Sequence, residues 1–142
     1  RFKGYKDALF DHSIPFDESL VLIKDLSEKC GREAALQIME MHPMPDAAFI
    51  TNDFSAAVCI KTLKEHGYRI PEDIAIVGFN NDAISKIVEP QLTTIDYPGI
   101  DIGEIAARNL IAHLKGDIKI TQTNTIIVKS ELIIRQSSLR KG

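Results

Sequence analysis

The sequence lacks an excess of basic residues. Its 17 lysines and arginines are outnumbered by 20 aspartates and glutamates, for a formal net charge of −3. Phosphate neutralisation supplies most of the affinity of a free-standing DNA-binding domain, so this segment by itself is not expected to hold DNA. It has no stretch near the ~20 apolar residues needed to span a membrane and no recognisable signal peptide. No membrane partner is expected, and the two scattered cysteines favour a reducing cytoplasm. Cysteine is scarce: Cys30 and Cys59 lie in separate helix-like stretches without CxxC or metal-ligand spacing. They are expected as reduced thiols packed in or near a core. The GxSxG, GxxxxGK[ST] and GxGxxG patterns are absent. His12, His42, His66 and His113 are scattered over a turn, a proline-rich loop, a helix end and a mid-helix position. None has a neighbour that would complete a metal site or a triad. No enzyme activity, cofactor or metal is expected.

What is present is enough apolar residue for one core. The chain has 142 residues, 44% of them hydrophobic, which suffices for a single domain without disulfide or metal staples. Short apolar runs alternate with helical stripes. Tyr5, Ala8 and Leu9 mark a first helix, and Leu20–Ile23 reads as a strand covered on both faces. Asp25 or Ser27 then caps a helix over Glu28–Met41, with Ala34, Ala35, Ile38 and Met41 on one side. Pro43 and Pro45 break it ahead of a second strand, Ala47–Ile50. Asn52 and Asp53 are suited to cap a helix over Phe54–His66, whose buried face is Ala56, Cys59, Ile60 and Leu63. Gly67 ends it in the left-handed conformation. A third strand over Ile74–Val77 leads to the polar loop Gly78–Asp82, a short helical piece Ala83–Val88 and an extended Leu92–Ile95. Ile100–Leu114 is an amphipathic helix with Ile102, Ala106, Leu110 and Leu114 roughly in line. Thr125–Val128 and Leu132–Ile134 are β-rich, and the polar tail from Gln136 to Gly142 is expected to fray.

Strand and helix alternating in this way predict an α/β fold, a three-layer doubly wound parallel sheet. Ligands bind such sheets at the carboxyl ends of the strands. The loops there carry Asn52-Asp53 and Asn80-Asn81-Asp82, and side-chain amides can both donate and accept hydrogen bonds, as a sugar or nucleobase requires. Helix capping and turn formation account for the same residues equally well, and capping alone explains Asp53.

Five segments resemble, in order, the pattern of the LacI/GalR regulator family. Arg1-Phe2-Lys3-Gly4-Tyr5-Lys6-Asp7-Ala8-Leu9 resembles its R-x-x-G-aromatic-x-x-A-L helix start. Pro45–Asp53 resembles its PDAIFaaND strand, and Gly67–Asn80 its GlrVPeDvavvGfDd block. Pro90–Ile95 resembles PpLTTv, and Glu131–Ser138 the closing ELivRxSt. The resemblance implies a partial periplasmic binding protein-like fold of type I. Residues 1–94 and 123–138 would form most of the C-terminal subdomain, and 95–120 would cross over to supply a helix to an N-terminal subdomain otherwise absent. The whole of residues 1–142 would then be a fragment of an effector-binding domain that follows a helix-turn-helix headpiece.

The resemblance also implies which residues touch the effector. Arg1 matches an arginine that binds effector oxygens, Leu26 a position often aromatic, Asn52 a polar contact, Asn80 a position usually aspartate, and Tyr97 a rim position. Leu26 cannot stack as an aromatic ring does, and Asn80 can donate where an ionised aspartate only accepts. Both departures question a typical pyranose or purine effector. The implied function is sensing of a small sugar-like or nucleoside-like ligand to control operator DNA binding through the headpiece. A sugar-binding receptor of a transport system is the alternative on the same fold. A homodimer through Ala83–Val88 and the Phe54–His66 helix is also implied.

Overall fold

The computed structural model describes residues 1–119 and 125–140. Its elements are α1 (Phe2–Asp11), α2 (Glu28–Glu40), β1 (Ala47–Phe49), α3 (Asp53–Glu65), β2 (Ala75–Asn80), α4 (Ile84–Ile87), β3 (Thr93–Asp96), α5 (Gly99–Leu114) and β4 (Glu131–Ile133). One sheet runs in the order β1-β2-β3-β4. The first three strands are parallel, with Phe49 opposite Val77 and Asn80 opposite Asp96. β4 runs antiparallel to β3, with Asp96 opposite Glu131, so the sheet is mixed rather than purely parallel.

The core is a seam between sheet and helices. Ala56, Cys59, Ile60 and Leu63 of α3 are fully buried, as the helical period predicts, and meet Ile76 of β2, Ile74 and Leu92 just before β2 and β3, and Ala35 and Ile38 from α2. Complete burial of an Ile or Leu side chain contributes about 1.5–3 kcal/mol, so this seam is where the fold is held. Ser27 caps α2 by accepting from the Cys30 N–H, and Asp25 accepts in turn from the Ser27 N–H. Gly67, at φ +89°, ends α3 as expected. Both cysteines are free, Cys59 buried and Cys30 half-buried.

Three expectations are corrected. Leu20–Ile23 is not a strand: Glu18–Leu20 is a turn of 3-10 helix, and no regular structure continues it up to Lys24. A strand needs a hydrogen-bonded neighbour, and among the described residues none pairs along the outer edge of β1. Leu22 packs on the core while Ile23 stays exposed, so the run is covered on one side only. Thr125–Val128 also forms no strand. The tail, by contrast, is tied down as far as Arg140. Ser137 is fully buried, its hydroxyl donates to Ile76 O at 2.6 Å, and it accepts from Thr93 N–H at 2.8 Å. Arg140 donates to the carbonyls of Pro71 and Asp46. These bonds replace the ladder that a longer strand would have made. The expected return of the chain near Thr123 and the tail end at Gly142 lie outside the described residues.

α1 and α5 contain no buried residue. On α5, Ile100, Leu110, Ile111 and Leu114 are all exposed, Leu114 by 75%. Among the described residues no helix is long and apolar enough to cross a membrane.

Candidate functional site

β1, β2 and β3 end on the same side of the sheet, and the segments leaving them meet there. After β1, Asn52 adopts an extended backbone and caps α3, its side-chain oxygen accepting from Ser55 N–H at 3.1 Å. The Ser55 hydroxyl donates to Leu26 O at 3.4 Å, which places Leu26 beside the same helix start. Leu26 is half exposed. The neighbouring Asp25 carboxyl is held down at about 2 by the Ser27 hydroxyl and by the Ser27 N–H, so a full negative charge flanks Leu26 at neutral pH.

At the end of β2 the backbone turns through two consecutive asparagines with positive φ, the last strand residue Asn80 at +121° and Asn81 at +57°. Asparagine tolerates such conformations better than most residues because its short side chain bonds locally. The Asn80 amide nitrogen donates to Asp82 Oδ2 at 3.2 Å, leaving its carbonyl oxygen as the group to offer a ligand. The Asn81 carbonyl oxygen accepts from Arg135 at 2.8 Å, and Arg135 also donates to Ser85 Oγ and to Leu92 O.

An aromatic row lies across these strand ends. The Phe79 ring is 6.5 Å from that of Phe49 and 6.0 Å from that of Tyr97. The Arg1 guanidinium sits 4.0 Å above Phe79, a cation–π contact that orients its donor fork. Arg1 and Tyr97 are thereby gathered on Phe79, the residue before Asn80, and Leu26 and Asn52 around Ser55. Asp53 ties the start of α3 to the loop that follows Phe79. Its side chain is fully buried; one oxygen accepts from the Thr94 hydroxyl at 2.6 Å and the other from the Asp82 N–H at 2.8 Å. Capping therefore does not explain Asp53, because Asn52 is the cap and the Asp53 carboxylate points into the fold.

Sequence reasoning also missed Phe49 and Phe79. Strand alternation carried the signal: Ile76 and Gly78 face the core, so Phe79 must face away from it. Arg135 and Thr94 gave no local signal, since their partners are distant in sequence. Among the described residues no three His, Cys, Asp or Glu side chains gather as a metal site. Away from this edge, a groove of 680 Å³ runs between α3 and α4, lined by Phe54, Ala57, Val58, Ile84, Ile87 and Val88, with Lys61 and Lys64 alongside. Ile87 is 74% exposed, while Ile84 and Val88 are half-buried.

The periplasmic binding protein-like domain matches residues 1–138. The HTH-type transcriptional regulator CelR of Thermobifida fusca is 28% identical over 96% of this chain and 40% of its own length. The NTD biosynthesis operon regulator NtdR of Bacillus subtilis is 32% identical over 97% of this chain and 42% of its own. A solved complex of CelR with cellobiose superimposes with a TM-score of 0.88 at 27% identity, covering 96% of this chain and 41% of that one. The transcription regulator CcpA of Lactococcus lactis gives 0.83 at 29%, covering 96% and 49%. The chain thus spans less than half the length of these relatives. With a match over residues 1–138 and regulators of the LacI type as its relatives, the chain belongs to the periplasmic binding protein-like domain family, in the form that such regulators carry.

Proposed function

We propose that this chain is the effector-sensing half of a cytoplasmic LacI-type transcription regulator, a binding module that carries out no chemistry. One observation supports this most directly: Arg1 and Tyr97 meet on Phe79, the residue before Asn80, at the carboxyl ends of the strands, and Leu26 meets the start of the helix that Asn52 caps after β1. Donors on Arg1, an acceptor on Asn80 and the aromatic row together suit a small ligand with hydroxyls along its edge and one apolar face. A sugar meets that description, as does a nucleoside. CelR has been solved with cellobiose, which makes cellobiose the first probe. The relatives are regulators, which favours sensing over transport.

In this reading α5, with no buried residue, packs on a second subdomain, and residues 95–120 are the crossover. The effector then sits between two walls, of which residues 1–142 supply mainly one. Effector binding would favour one arrangement of the subdomains and so set the spacing of paired headpieces on operator DNA. Titration calorimetry on the intact protein with cellobiose and with nucleosides tests the reading. Micromolar binding by the intact protein is expected, and little or none by residues 1–142, because a cleft buries most of its ligand only when both walls are present. Tight binding by residues 1–142 alone would contradict the two-wall arrangement. No binding by the intact protein across sugars and nucleosides would contradict the effector class.

The groove between α3 and α4 supports a homodimer. Its exposed Ile87 and Phe54 form part of an apolar surface of the kind that marks contacts between proteins. Sedimentation of the intact protein at micromolar concentration should show a dimer, and Ile87→Glu should shift it to monomer. A wild-type monomer would remove this part of the proposal.

A further inference from the structure

A short loop carries the site's most unusual backbone, and one buried carboxylate holds it. Asn80 and Asn81 both have positive φ, a conformation that persists only where its surroundings enforce it. Two consecutive backbone N–H groups of this loop lead to Asp53. Asp82 N–H donates directly to Oδ2 at 2.8 Å. Asn81 N–H donates to Thr94 Oγ1 at 3.3 Å, and that hydroxyl donates onward to Asp53 Oδ1 at 2.6 Å. Asp53 therefore grips the loop from beneath with both oxygens, while its own backbone is fixed as the first residue of α3.

The site is shaped for this carboxylate. A Cβ on Gly78 would overlap Asp53 Oδ1 and come within 2.7 Å of Leu92 Cδ2. The carboxylate thus occupies the space that a side chain on Gly78 would need. Hydrogen bonds to a carboxylate are shorter and stronger than neutral ones, and none of the side-chain polar atoms buried here is left unbonded among the described residues.

We infer that Asp53 is a positioning residue: it presents Asn80 to the effector by fixing the Asn80–Asp82 turn, without touching the effector itself. This deepens the proposed function and rests on it for the identity of the ligand, but its central claim can be read without any ligand. Asp53→Ala releases the Asp82 N–H and unpins the Thr94 hydroxyl that receives the Asn81 N–H. Asp53→Asn keeps the shape and both links, its oxygen accepting from the Asp82 N–H and its amide donating to Thr94 Oγ1, at the cost of the acceptor for the Thr94 hydroxyl hydrogen. Thr94→Val cuts only the relay to Asn81, and Gly78→Ala displaces the carboxylate.

The experiment is hydrogen–deuterium exchange of the intact protein, comparing the peptide covering residues 79–85 with that covering 28–40 of α2. Asp53→Ala and Gly78→Ala are expected to speed exchange over 79–85 at least tenfold and leave 28–40 unchanged. Asp53→Asn should restore the wild-type rate. Should Asp53→Ala fail to fold, Thr94→Val carries the test, with a smaller local rise expected at Asn81. No local rise in any variant, or an equal rise in both peptides, overturns the inference. In parallel, cellobiose affinity should fall at least tenfold in Asp53→Ala and be unchanged in Asp53→Asn; equal affinity in Asp53→Ala and wild type also overturns it. If wild type binds neither cellobiose nor nucleosides, the proposed effector class falls, while the exchange result still decides the role of Asp53.

Discussion

Asn52 illustrates how one side chain can serve two purposes that separate substitutions can distinguish. Its oxygen caps α3, which leaves its amide –NH2 as the group to offer a ligand. Asn52→Ala should lower stability by about 1 kcal/mol through loss of the cap, measured by denaturant titration. Asn52→Asp keeps the capping oxygen and removes the donor, so stability should hold while effector affinity falls. At Asn80 the structure sharpens a similar exchange. Asn80→Asp would set a carboxylate beside Asp82, where the amide now donates at 3.2 Å. It should alter preference across an effector panel and destabilise by no more than about 1 kcal/mol, the scale of exposed charge pairs. Burial pushes the Cys59 thiol up to about 12. At pH 8 a disulfide reagent should therefore label the half-buried Cys30 and leave Cys59 unmodified until the protein unfolds. The burial of Cys59 was readable from a 3.6-residue period, because helical neighbours announce each other. The role of Asp53 was not readable, because its partners Asp82 and Thr94 lie 29 and 41 residues away and nothing local distinguishes such an aspartate from a cap.

Elements that bury one face on their own chain were legible, and those that depend on a neighbour were not. α3 was placed to within a residue or two because its stripe is continuous and capped at both ends. Leu20–Ile23 has the composition of a strand but no strand beside it, so composition alone misread it. The tail failed in the opposite sense: Ser137 and Arg140 are polar and looked free, yet their hydrogen bonds close the sheet. The turn between α3 and β2 adds a pH-dependent hold. Asp73 is held at about 2, below the ordinary 3.8, first by the Arg69 guanidinium and then by the Arg69 N–H. Because the folded value lies below the unfolded one, the contribution is complete above about pH 4 and is lost as pH falls toward 2. Asp73→Asn should flatten the acid limb of the stability–pH curve over that window, as followed by circular dichroism.

At the scale of the whole molecule, the fold divides into a packed seam around α2, α3 and the sheet and two helices, α1 and α5, with no buried residue. Four of the five family-like segments made the seam and the strand ends readable, because each coincides with an element or loop that the core positions; the fifth, Arg1–Leu9, falls on α1. The exposure of α1 and α5 was legible only in part, since an amphipathic stripe announces that a helix wants a partner but not where the partner is. The antiparallel pairing of β3 with β4 has one more consequence. Asp96 and Glu131 face each other across that pair, so everything from Tyr97 to Ser130 is, topologically, the loop of a hairpin. Such a loop can be cut out and its stem rejoined. Replacing residues 97–130 with Asn-Gly, the dipeptide suited to a two-residue hairpin, should leave a miniature that keeps the α2–α3 seam and the tail bonds of Ser137. It would shed the apolar face of α5, and each halving of loop length returns about 0.6 kcal/mol of closure entropy. The miniature should melt cooperatively and stay monodisperse at higher concentration than the parent chain. Loss of cooperative melting would mean that the excursion, for all its exposure, contributes to folding the sheet it leaves and rejoins.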